Sequence, residues 1–429
     1  MSDQEGFLKR HIVDTTPLRN PAIRRLFAGT GLGVLGLNLY VVAAQWQVFE
    51  ITHSSFYVGL LGAMGLIPTL AFSVIGGAMA DAHDKRKLIC TYYAIETLAL
   101  AALCFASYGG NPRVWMIFVG EFVLSSAGAL SYPTMGSSIQ LLTPSAQIEA
   151  VAGLRGVMYS TVHLAAPALA GVLIHYAGTA FTYGIGAGAL TLGVLVLLRM
   201  PPIPPAKNAA KASAASIREG FAFVRKKPIV LAIFGVDLDA MVFGLPTALF
   251  PAMAARIGGG STTFGLLKAA PFVGSSLASL VSRKAANVRR QGMAVVYCVM
   301  VWGAAIAVAG ATRLLPVVLL SLAVAGGADM VSGIYRMAIV QASVTDDMRG
   351  RISGIEFAVY AGGPAFGDIE AGAVASMTNV AFSWVSGGLA CIAVAWALGR
   401  RVPELRNYRA PVHDGIRSQT RAEATTADG

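Results

Sequence analysis

The chain has 429 residues, of which 55% are hydrophobic and 13% are charged, and its formal net charge is +11. A soluble domain carries roughly 25% charged residues, so the composition excludes an ordinary soluble protein and indicates one that is buried in lipid. Backbone groups in lipid must be satisfied within helices or closed barrels, and the long unbroken apolar runs favour helices. The four cysteines each stand alone in an apolar run, which indicates neither a disulfide framework nor a zinc site.

Twelve apolar segments follow one another along the chain, and each is long enough for a transmembrane helix of ~20 residues. They cover residues 25–49, 56–80, 88–108, 114–138, 150–176, 180–199, 229–255, 262–283, 292–311, 314–338, 352–376 and 380–399. We therefore predict an all-α membrane protein of twelve transmembrane helices. The predicted helices form two six-helix pseudo-symmetric bundles, one at 25–199 and the other at 229–399.

The distribution of basic residues predicts the orientation in the membrane. With an even number of spans, the N-terminal tail (1–24), the linker (200–228) and the C-terminal tail (400–429) lie on one side. Of the 33 Lys and Arg residues, three lie in loops on the opposite side and three within spans, which leaves 27 on the side of the tails. Excess Lys and Arg marks the cytoplasmic side, so both termini are predicted to be cytoplasmic. The orientation in the membrane accounts for the excess of basic over acidic residues, and no nucleic-acid partner is expected.

The linker contains the segment SIREGFAFVRKKP, which places Ile217, Phe221 and Val224 on one helical face beside Arg218 and Arg225. This pattern predicts an amphipathic helix lying on the inner leaflet. The C-terminal tail is polar and lacks apolar periodicity, which is typical of disorder.

An internal repeat supports the two-bundle prediction. Adding 201 to the residue number superposes span 5 on span 11, so that Pro167 meets Asp368 and Gly171 meets Gly372. Parallel repeats about an axis along the membrane normal are one of the known transporter architectures. In such folds the substrate site lies near the bilayer midplane, between the two halves.

The loop between the second and third spans reads Gly77-Ala-Met-Ala-Asp81-Ala-His-Asp-Lys85-Arg86-Lys87. It resembles the signature loop of the major facilitator superfamily, Gly-x-x-x-Asp-x-x-x-Arg/Lys-Arg/Lys. The resemblance implies that Asp81 latches one half of the protein against the other in the outward-open state, facing the start of span 11 near Arg351. A carboxylate suits the positive N-terminus of a helix, and Lys85 and Arg86 would anchor the turn at the inner leaflet.

Span 5 carries a second resemblance, to the antiporter motif Gly-x8-Gly-x3-Gly-Pro-x2-Gly-Gly. Strict matches are Gly153, Pro167 and Gly171. Small residues let helices pack closely and proline kinks a helix, which suits a moving helix. Small-residue packing without any transport role would leave the same pattern.

The second half resembles the drug and siderophore exporter branch of the superfamily, and most of all bacterial enterobactin exporters. The resemblance rests on the linker segment SIREGFAFVRKKP and on residues 237–241, 250–252, 265–274, 349–354 and 403–409. It covers nearly the whole chain, roughly residues 17–410, and it implies export. The cargo stays open, because relatives in this branch carry macrolides and other drugs as well as siderophores.

Ionisable residues inside the predicted spans are candidate functional groups, because burial of charge in lipid is costly. They are Glu96, Glu121, Arg155, Asp237, Asp239, Lys268, Asp329, Arg336, Glu356, Asp368 and Glu370. The candidates for proton coupling are Glu121, Asp237, Asp329 and Asp368, because burial disfavours the charged form of a carboxylate. For each of them, a structural contact between helices explains the residue equally well. We interpret Lys268 as a side chain that snorkels to the interface.

Further residues are candidates for contacts between helices or with substrate. Arg155 and Glu356 are equivalent in the repeat, which suggests an ion pair across the halves. Asn38, Gln45 and Tyr132 are candidates for lining a central cavity.

We therefore predict a secondary active transporter of the bacterial inner (cell) membrane, a proton-coupled exporter of a bulky amphipathic molecule such as a catecholate siderophore. A multidrug or macrolide-type efflux pump is the alternative, and import also stays open. The expected partners are the small-molecule substrate, protons and membrane lipids, and we expect a monomer without metal or cofactor. A membrane enzyme would need a reactive constellation, and a transporter-like receptor would need a soluble output domain; the sequence suggests neither.

Overall fold

The computed structural model describes residues 14–110, 112–205, 222–280, 288–345 and 348–410. Throughout these ranges the regular structure is helical, and no strand occurs in them. The helices are α1 (Pro21–Thr52), α2 (Ser55–Ala82), α3 (Lys85–Tyr108), α4 (Val114–Leu142), α5 (Ile148–Leu198), α6 (Pro228–Phe243), α7 (Phe250–Arg256), α8 (Ser261–Leu280), α9 (Gln291–Ala311), α10 (Leu315–Ser343), α11 (Arg349–Met377), α12 (Val380–Arg401) and α13 (Pro403–Asn407).

Side-chain caps determine where several long helices begin. Asn20, Asp84 and Asn379 each accept a hydrogen bond from a backbone N–H two or three residues further on, at 2.9 to 3.0 Å. These bonds satisfy amide groups that have no partner inside the helix. The first helix also opens on Pro21, whose missing N–H is harmless at that position.

Two breaks interrupt otherwise continuous helical paths. α5 is 51 residues long and bends at Gly178, whose φ of 82° is readily adopted only by glycine. The bend divides α5 into a first limb (148–177) and a second limb (179–198). The path from α6 to α7 is broken after Gly244, where a short 3-10 turn, Thr247–Leu249, leads into α7. The Trp302 indole supports this break by donating a hydrogen bond to the Gly244 carbonyl oxygen at 2.5 Å.

Nine helical segments in the described ranges are long and apolar enough to cross a bilayer. One of them, Ser145–Leu198, is 54 residues long and contains the bend at Gly178. α8 and α11 are not in this group, and both carry charge: Lys268 lies in α8, and Asp368 and Glu370 lie in α11.

The ends of the helices lie on two sides of the molecule. We call the side where α1 begins and α12 ends the terminal side, and the opposite one the distal side. On the terminal side the Arg25 guanidinium donates to the Arg199 carbonyl oxygen at 2.6 Å, and the Ala410 amide donates to the Arg289 carbonyl oxygen at 2.9 Å. The start of α2 and the end of α11 meet on the distal side.

The helices pack into two groups that meet along two seams. In the first group α1 and α3 pack on α5, and α2 packs on α4; in the second, α9 packs on α10 and α12, and α8 packs on α10. Between the groups the main contacts join α2 to α11 and α5 to α8. We call these the α2/α11 seam and the α5/α8 seam.

Both seams are closed on the distal side by backbone contact. A Cβ at Gly59 would collide with the Asp368 carbonyl oxygen, and a Cβ at Gly265 would collide with the Pro167 carbonyl oxygen. Asp368 and Pro167 are separated by the 201 residues of the predicted repeat. Gly171 and Gly372, another pair at this offset, lie against the first-turn carbonyl oxygens of α8 and α2 respectively. Equivalent residues thus make equivalent contacts in the two seams.

The same helices diverge on the terminal side. Gly77 in α2, Gly156 in α5 and Gly354 in α11 have no neighbouring heavy atom within 4 Å of an added Cβ. The two halves therefore make backbone contact on the distal side, whereas these three glycines have no such neighbour on the terminal side.

The end of the linker packs against the second helical group. Val224 is buried in an apolar cluster with Val230, Phe234 and Val344. Two other residues of the predicted amphipathic face, Ile217 and Phe221, lie outside the described residues.

Candidate functional site

A cluster of three charged side chains occupies the interior of the second group. Arg336 of α10 binds Asp237 of α6 at 2.8 Å and Asp329 of α10 at 3.1 Å. Arg336 and Asp237 are each 15% exposed, whereas Asp329 is 45% exposed. Because two carboxylates share one guanidinium, the cluster can hold one proton without leaving Arg336 unpaired. The sequence predicted the two carboxylates but did not identify Arg336 as their partner.

Glu121 occupies a comparable interior position in the first group, but its partners are neutral. One carboxylate oxygen accepts from the Tyr40 hydroxyl at 2.7 Å, and the other accepts from the Ser125 hydroxyl at 2.6 Å. The carboxylate also packs against Gly65 of α2. Glu121 therefore joins α1, α2 and α4, as the structural interpretation of this residue requires.

Gln47 of α1 is the centre of a second polar network that the sequence did not reveal. Its amide nitrogen donates to the Ser107 hydroxyl at 3.0 Å and to the Thr179 hydroxyl at 3.1 Å. The Tyr183 hydroxyl donates to the amide oxygen of Gln47 at 2.9 Å. The network fixes the distal ends of α1 and α3 to the bend of α5.

Asp368 closes the break between α6 and α7. Its carboxylate accepts from the Thr247 hydroxyl and from the Ala248 backbone N–H, both at 2.8 Å. A carboxylate is favourable at the start of a helix, where backbone N–H groups lack partners. Asp368 therefore has a structural role: it caps the turn before α7 and links that turn to α11. Its repeat equivalent, Pro167, carries no group that could do this.

The Lys268 side chain, which belongs to the second helical group, bonds to a residue of the first group. The interpretation of Lys268 as snorkelling to the interface is therefore wrong. Its ammonium donates to the side-chain oxygen of Gln45 in α1 at 2.6 Å. It is also within electrostatic reach of Asp368 and His163. Because the Gln45 oxygen accepts a hydrogen bond from the Lys268 ammonium within the protein, the lysine side chain does not have to extend towards water. Gln45, predicted to contact substrate or another helix, binds another helix; next to it, Trp46 stacks on an α8 ring.

A row of stacked side chains runs along the first limb of α5. The Arg155 guanidinium lies 5.4 Å from the ring centroid of Tyr159, and the His163 ring stacks on Tyr159 at 6.1 Å and on Phe272 of α8 at 5.3 Å. The pairing of Arg155 with Glu356 stays a prediction: the ion pairs among the described residues do not include it, and Glu356 is exposed in this conformation. The two residues lie where the halves diverge, so Arg155 stacks within its own half.

The two remaining cavity candidates differ in their surroundings. Asn38 donates to the Val34 carbonyl oxygen of its own helix at 2.8 Å. Tyr132 is 54% exposed and stacks on Phe357 of the other half at 5.8 Å. Tyr360, one turn further along α11, is 69% exposed. Aromatic faces therefore line the space between the halves.

The basic residues of the signature loop hold the end of the first helical group. The Arg86 guanidinium donates to the Met200 carbonyl oxygen at 2.7 Å, where it faces the C-terminal end of α5. Cations are favourable at that end of a helix. Lys85 is 1% exposed and its backbone N–H donates to the Ile203 carbonyl oxygen at 2.9 Å. Both residues thus anchor the chain that leaves α5.

Asp81 lies in the last turn of α2 and Arg351 in the first turn of α11, on the same side of the molecule. The ion pairs among the described residues do not include one between Asp81 and Arg351. The latch between them stays a prediction.

Comparison with known proteins decides the family. The profile of the major facilitator family described as transmembrane secretion effector matches residues 13–420. The chain belongs to this family. A relative named enterobactin exporter EntS, from Citrobacter koseri, is 27% identical over 424 residues, which are 97% of this chain and 99% of the relative. The protein of the same name from Shigella boydii is 26% identical over 420 residues, 95% of this chain and 97% of the relative.

Solved transporter structures share the fold. A mutant of the nucleoside transporter NupG superposes with a TM-score of 0.73 at 17% identity, over 88% of this chain and 99% of that one. A bacterial homologue of the human lysosomal transporter Spinster, in an inward-facing and occupied conformation, gives 0.71 at 14% identity, over 93% of this chain and 100% of that one. The predicted resemblance to the major facilitator superfamily is confirmed. The protein is a multi-pass membrane transporter and not an enzyme.

Two buried acids of this transporter are more isolated than the predicted coupling candidates. Glu96 is 0% exposed, and its carboxyl oxygens have no hydrogen-bond partner among the described residues. Asp239 is 4% exposed, and its one neighbour of this kind is the Cys391 thiol among the described residues. Burying a carboxyl group with so few partners is unfavourable, which marks both residues as candidate functional groups. The sequence showed that both residues lie within spans, but only packing shows how completely they are enclosed.

Proposed function

We propose that this transporter is a proton-coupled exporter of a bulky amphipathic molecule such as a catecholate siderophore. In this proposal it works as a monomer in the bacterial inner membrane, with twelve spans in two six-helix bundles. The terminal side is cytoplasmic, because the tails, the linker and most basic residues lie there. The described conformation is then open to the cytoplasm and closed to the outside.

The observation that carries the proposal is the charge cluster of Asp237, Arg336 and Asp329, in a chain whose full-length relatives are named exporters. Asp329 is 45% exposed, so a proton from water can reach it while Arg336 keeps its 2.8 Å contact with Asp237. Proton binding changes the charge of the cluster by one unit inside the membrane. Such a change can bias two conformations that expose the cluster differently.

The substrate class is supported by the names of the relatives and by the surface between the halves. The relatives are named for enterobactin export, and Tyr132, Phe357 and Tyr360 offer aromatic faces there. Aromatic rings stack on one another with a gain beyond buried area. A flat aromatic drug would find the same surface, so multidrug or macrolide-type efflux is the second candidate.

The latch belongs to the opposite conformation. We propose that Asp81 faces the start of α11 near Arg351 when the terminal side closes, with Gly77 allowing α2 to approach. Gly77 has free space around it in the terminal-open conformation, which leaves room for that approach.

The experiment that tests substrate and direction is a comparison of a strain lacking this gene with its parent under iron limitation. Catecholates are measured in cells and in medium by mass spectrometry. The proposal predicts that a catecholate accumulates in the cells and falls in the medium, and that the intact gene restores export. Unchanged catecholates together with increased sensitivity to macrolides would favour the second candidate, and no change in either would contradict export of both classes.

A further inference from the structure

A recess lies between α4 and α5 at the terminal end of the first helical group. It has a volume of about 700 Å³, within the range of small-molecule sites, about 300–1,000 Å³. Its walls include Gly136, Gln140 and Thr143 of α4 and Val151, Arg155 and Tyr159 of α5. The charge cluster around Arg336 belongs to the second helical group, so the recess is a separate place in the molecule.

Arg155 is the charged member of the lining. Its guanidinium lies 5.4 Å from the ring centroid of Tyr159, and the ion pairs and hydrogen bonds among the described residues do not include it. A guanidinium carries five N–H donors and keeps its proton in proteins. A charge within a membrane span is costly and usually has a partner. The recess therefore presents a cation whose hydrogen-bond donors are available to a ligand.

The recess faces the space between the two halves. On α4, Tyr132 precedes the first lining residue by four positions and stacks on Phe357 of the second half at 5.8 Å. On α5, His163 lies four positions beyond Tyr159 and stacks on Phe272 of the second half at 5.3 Å. Residues four apart share one face of a helix. Both walls of the recess therefore continue the helical faces that contact the other half.

The repeat equivalents of the lining residues differ in charge and in packing. At the 201-residue offset, Arg155 corresponds to Glu356, which is exposed. Thr143 lines the recess, whereas its equivalent, Val344, is buried in the apolar cluster at the end of the linker. An anion in the space between the halves would be attracted by the first half at this level and repelled by the second. The asymmetry favours a ligand with negative charge, because packing of the two halves does not require it.

The side chains of the recess indicate the chemistry of the ligand. A guanidinium holds its N–H groups in a planar fork that matches two neighbouring oxygen atoms. Beside it, Ile139, Val151 and the Tyr159 ring form an apolar wall, against which another ring can pack. A flat ring that carries two adjacent acidic oxygens, as a catechol does, satisfies both parts of the recess.

We propose that the Arg155 recess binds one acidic aromatic arm of the cargo. The guanidinium donates to two adjacent ring oxygens, and the ring packs against Tyr159. Arg155 thereby determines specificity, because an aromatic drug without acidic oxygens gains nothing from the fork. The assignment rests on the proposed export function, since it takes a catecholate as the cargo.

The first test measures equilibrium binding to the purified transporter in detergent. The two ligands are a tricatecholate siderophore and the same molecule with its catechol oxygens methylated. Arg155→Gln should weaken siderophore binding by at least about tenfold and should leave binding of the methylated molecule unchanged, because that molecule has no acidic oxygens. Arg155→Lys keeps the charge without the fork and should restore only part of the affinity. Glu356→Gln, at the equivalent position of the other half, is the matched control and should not weaken binding.

The outcomes separate this assignment from the exporter proposal. Native siderophore affinity in Arg155→Gln would overturn the recess and leave export intact. An equal loss of affinity for both ligands would show that Arg155 acts on the fold of the site in general, which would also overturn the assignment. Absence of siderophore binding and transport in the unaltered protein would contradict both proposals.

The second test leaves Arg155 in place. Ala152, an exposed residue of the recess lining, is replaced by Cys in a variant without the four native cysteines. Ser353→Cys is the matched control, because Ser353 is exposed and lies 201 residues further on. The siderophore should slow the reaction of Ala152→Cys with a maleimide and leave that of Ser353→Cys near its rate without ligand. Unchanged labelling at both positions, or equal protection of both, would overturn the recess assignment.

Discussion

Replacing Lys268 by Met should open the distal side of the transporter. The Lys268 ammonium is bonded to Gln45 of the other half at 2.6 Å, so the distal side cannot open while the bond persists. Met has a similar length and no charge, and it leaves the surrounding backbone contacts in place. The variant therefore removes a polar link between the halves with little change in packing.

The size of the effect follows from the kind of bond. A hydrogen bond that involves a charged group contributes about 1.5–3 kcal/mol, and about 2 kcal/mol corresponds to a population ratio of about 30. Lys268→Met should thus shift the equilibrium towards the distal-open conformation by about 30-fold. Gln45→Leu should shift it in the same direction, and the double variant should shift it by less than the product of the two.

The assay uses Ser261, which is 4% exposed and lies beneath Gly171 in the distal closure. Ser261→Cys, in a background without native cysteines, reacts with an impermeant maleimide added to the distal side. Its labelling rate follows the distal-open population, and Lys268→Met should raise that rate. An unchanged labelling rate in a folded Lys268→Met variant would refute the claim that this bond holds the distal side closed.

Three other substitutions test separate parts of the account. Asp329→Asn should abolish the pH dependence of efflux, because the charge cluster then loses its exposed carboxylate; efflux is followed over a series of buffered pH values. Glu96→Gln and Asp239→Asn should leave efflux and melting temperature near native values, because each amide keeps the shape of the carboxyl group it replaces. Asp81→Ala should slow transport by about tenfold, as expected for the loss of about 1.4 kcal/mol of latch energy, with substrate binding unchanged.

For each of these three predictions, one result would contradict it. A native pH profile in Asp329→Asn would remove this residue from the coupling site. Loss of coupled transport in Glu96→Gln, with stability retained, would show that this buried acid exchanges its proton. Native transport by Asp81→Ala would rule out the latch.

Features that depend on local composition, such as apolar helices and the internal repeat, could be predicted from the sequence. Hydropathy predicted long apolar helices, and nine segments of the described residues are long and apolar enough to cross a bilayer. The 201-residue offset paired Pro167 with Asp368, which make equivalent contacts with α8 and α2. Helix ends were predicted less well. The first apolar run covers 25–49, whereas α1 extends from Pro21 to Thr52, because the helix continues through polar residues until the Asn20 cap and the left-handed His53 end it.

Partnerships between distant residues could not be predicted from one sequence. Lys268 and Gln45 are 223 positions apart, and Tyr183 and Gln47 are 136 positions apart. Whether a lysine snorkels or binds within the protein depends on which helix packs beside it. Hydropathy does not contain that information, so a polar residue in a span identifies a candidate but not its role.

Asp368 shows how the structure narrows such candidates. Its depth alone suggested proton coupling and structural bonding equally. The contacts with Thr247 and Ala248 at 2.8 Å assign it a cap at the break before α7, whereas Asp329 keeps an exposed carboxylate. The proposed coupling site therefore centres on Asp329.

The most direct test of proton-coupled export is uptake of a tricatecholate siderophore into energised inverted vesicles that contain the transporter. The account predicts that siderophore accumulates inside, that a protonophore collapses the accumulation, and that Asp329→Asn vesicles show no response to the proton gradient. Accumulation that persists at the same level after the proton gradient is dissipated would contradict the account.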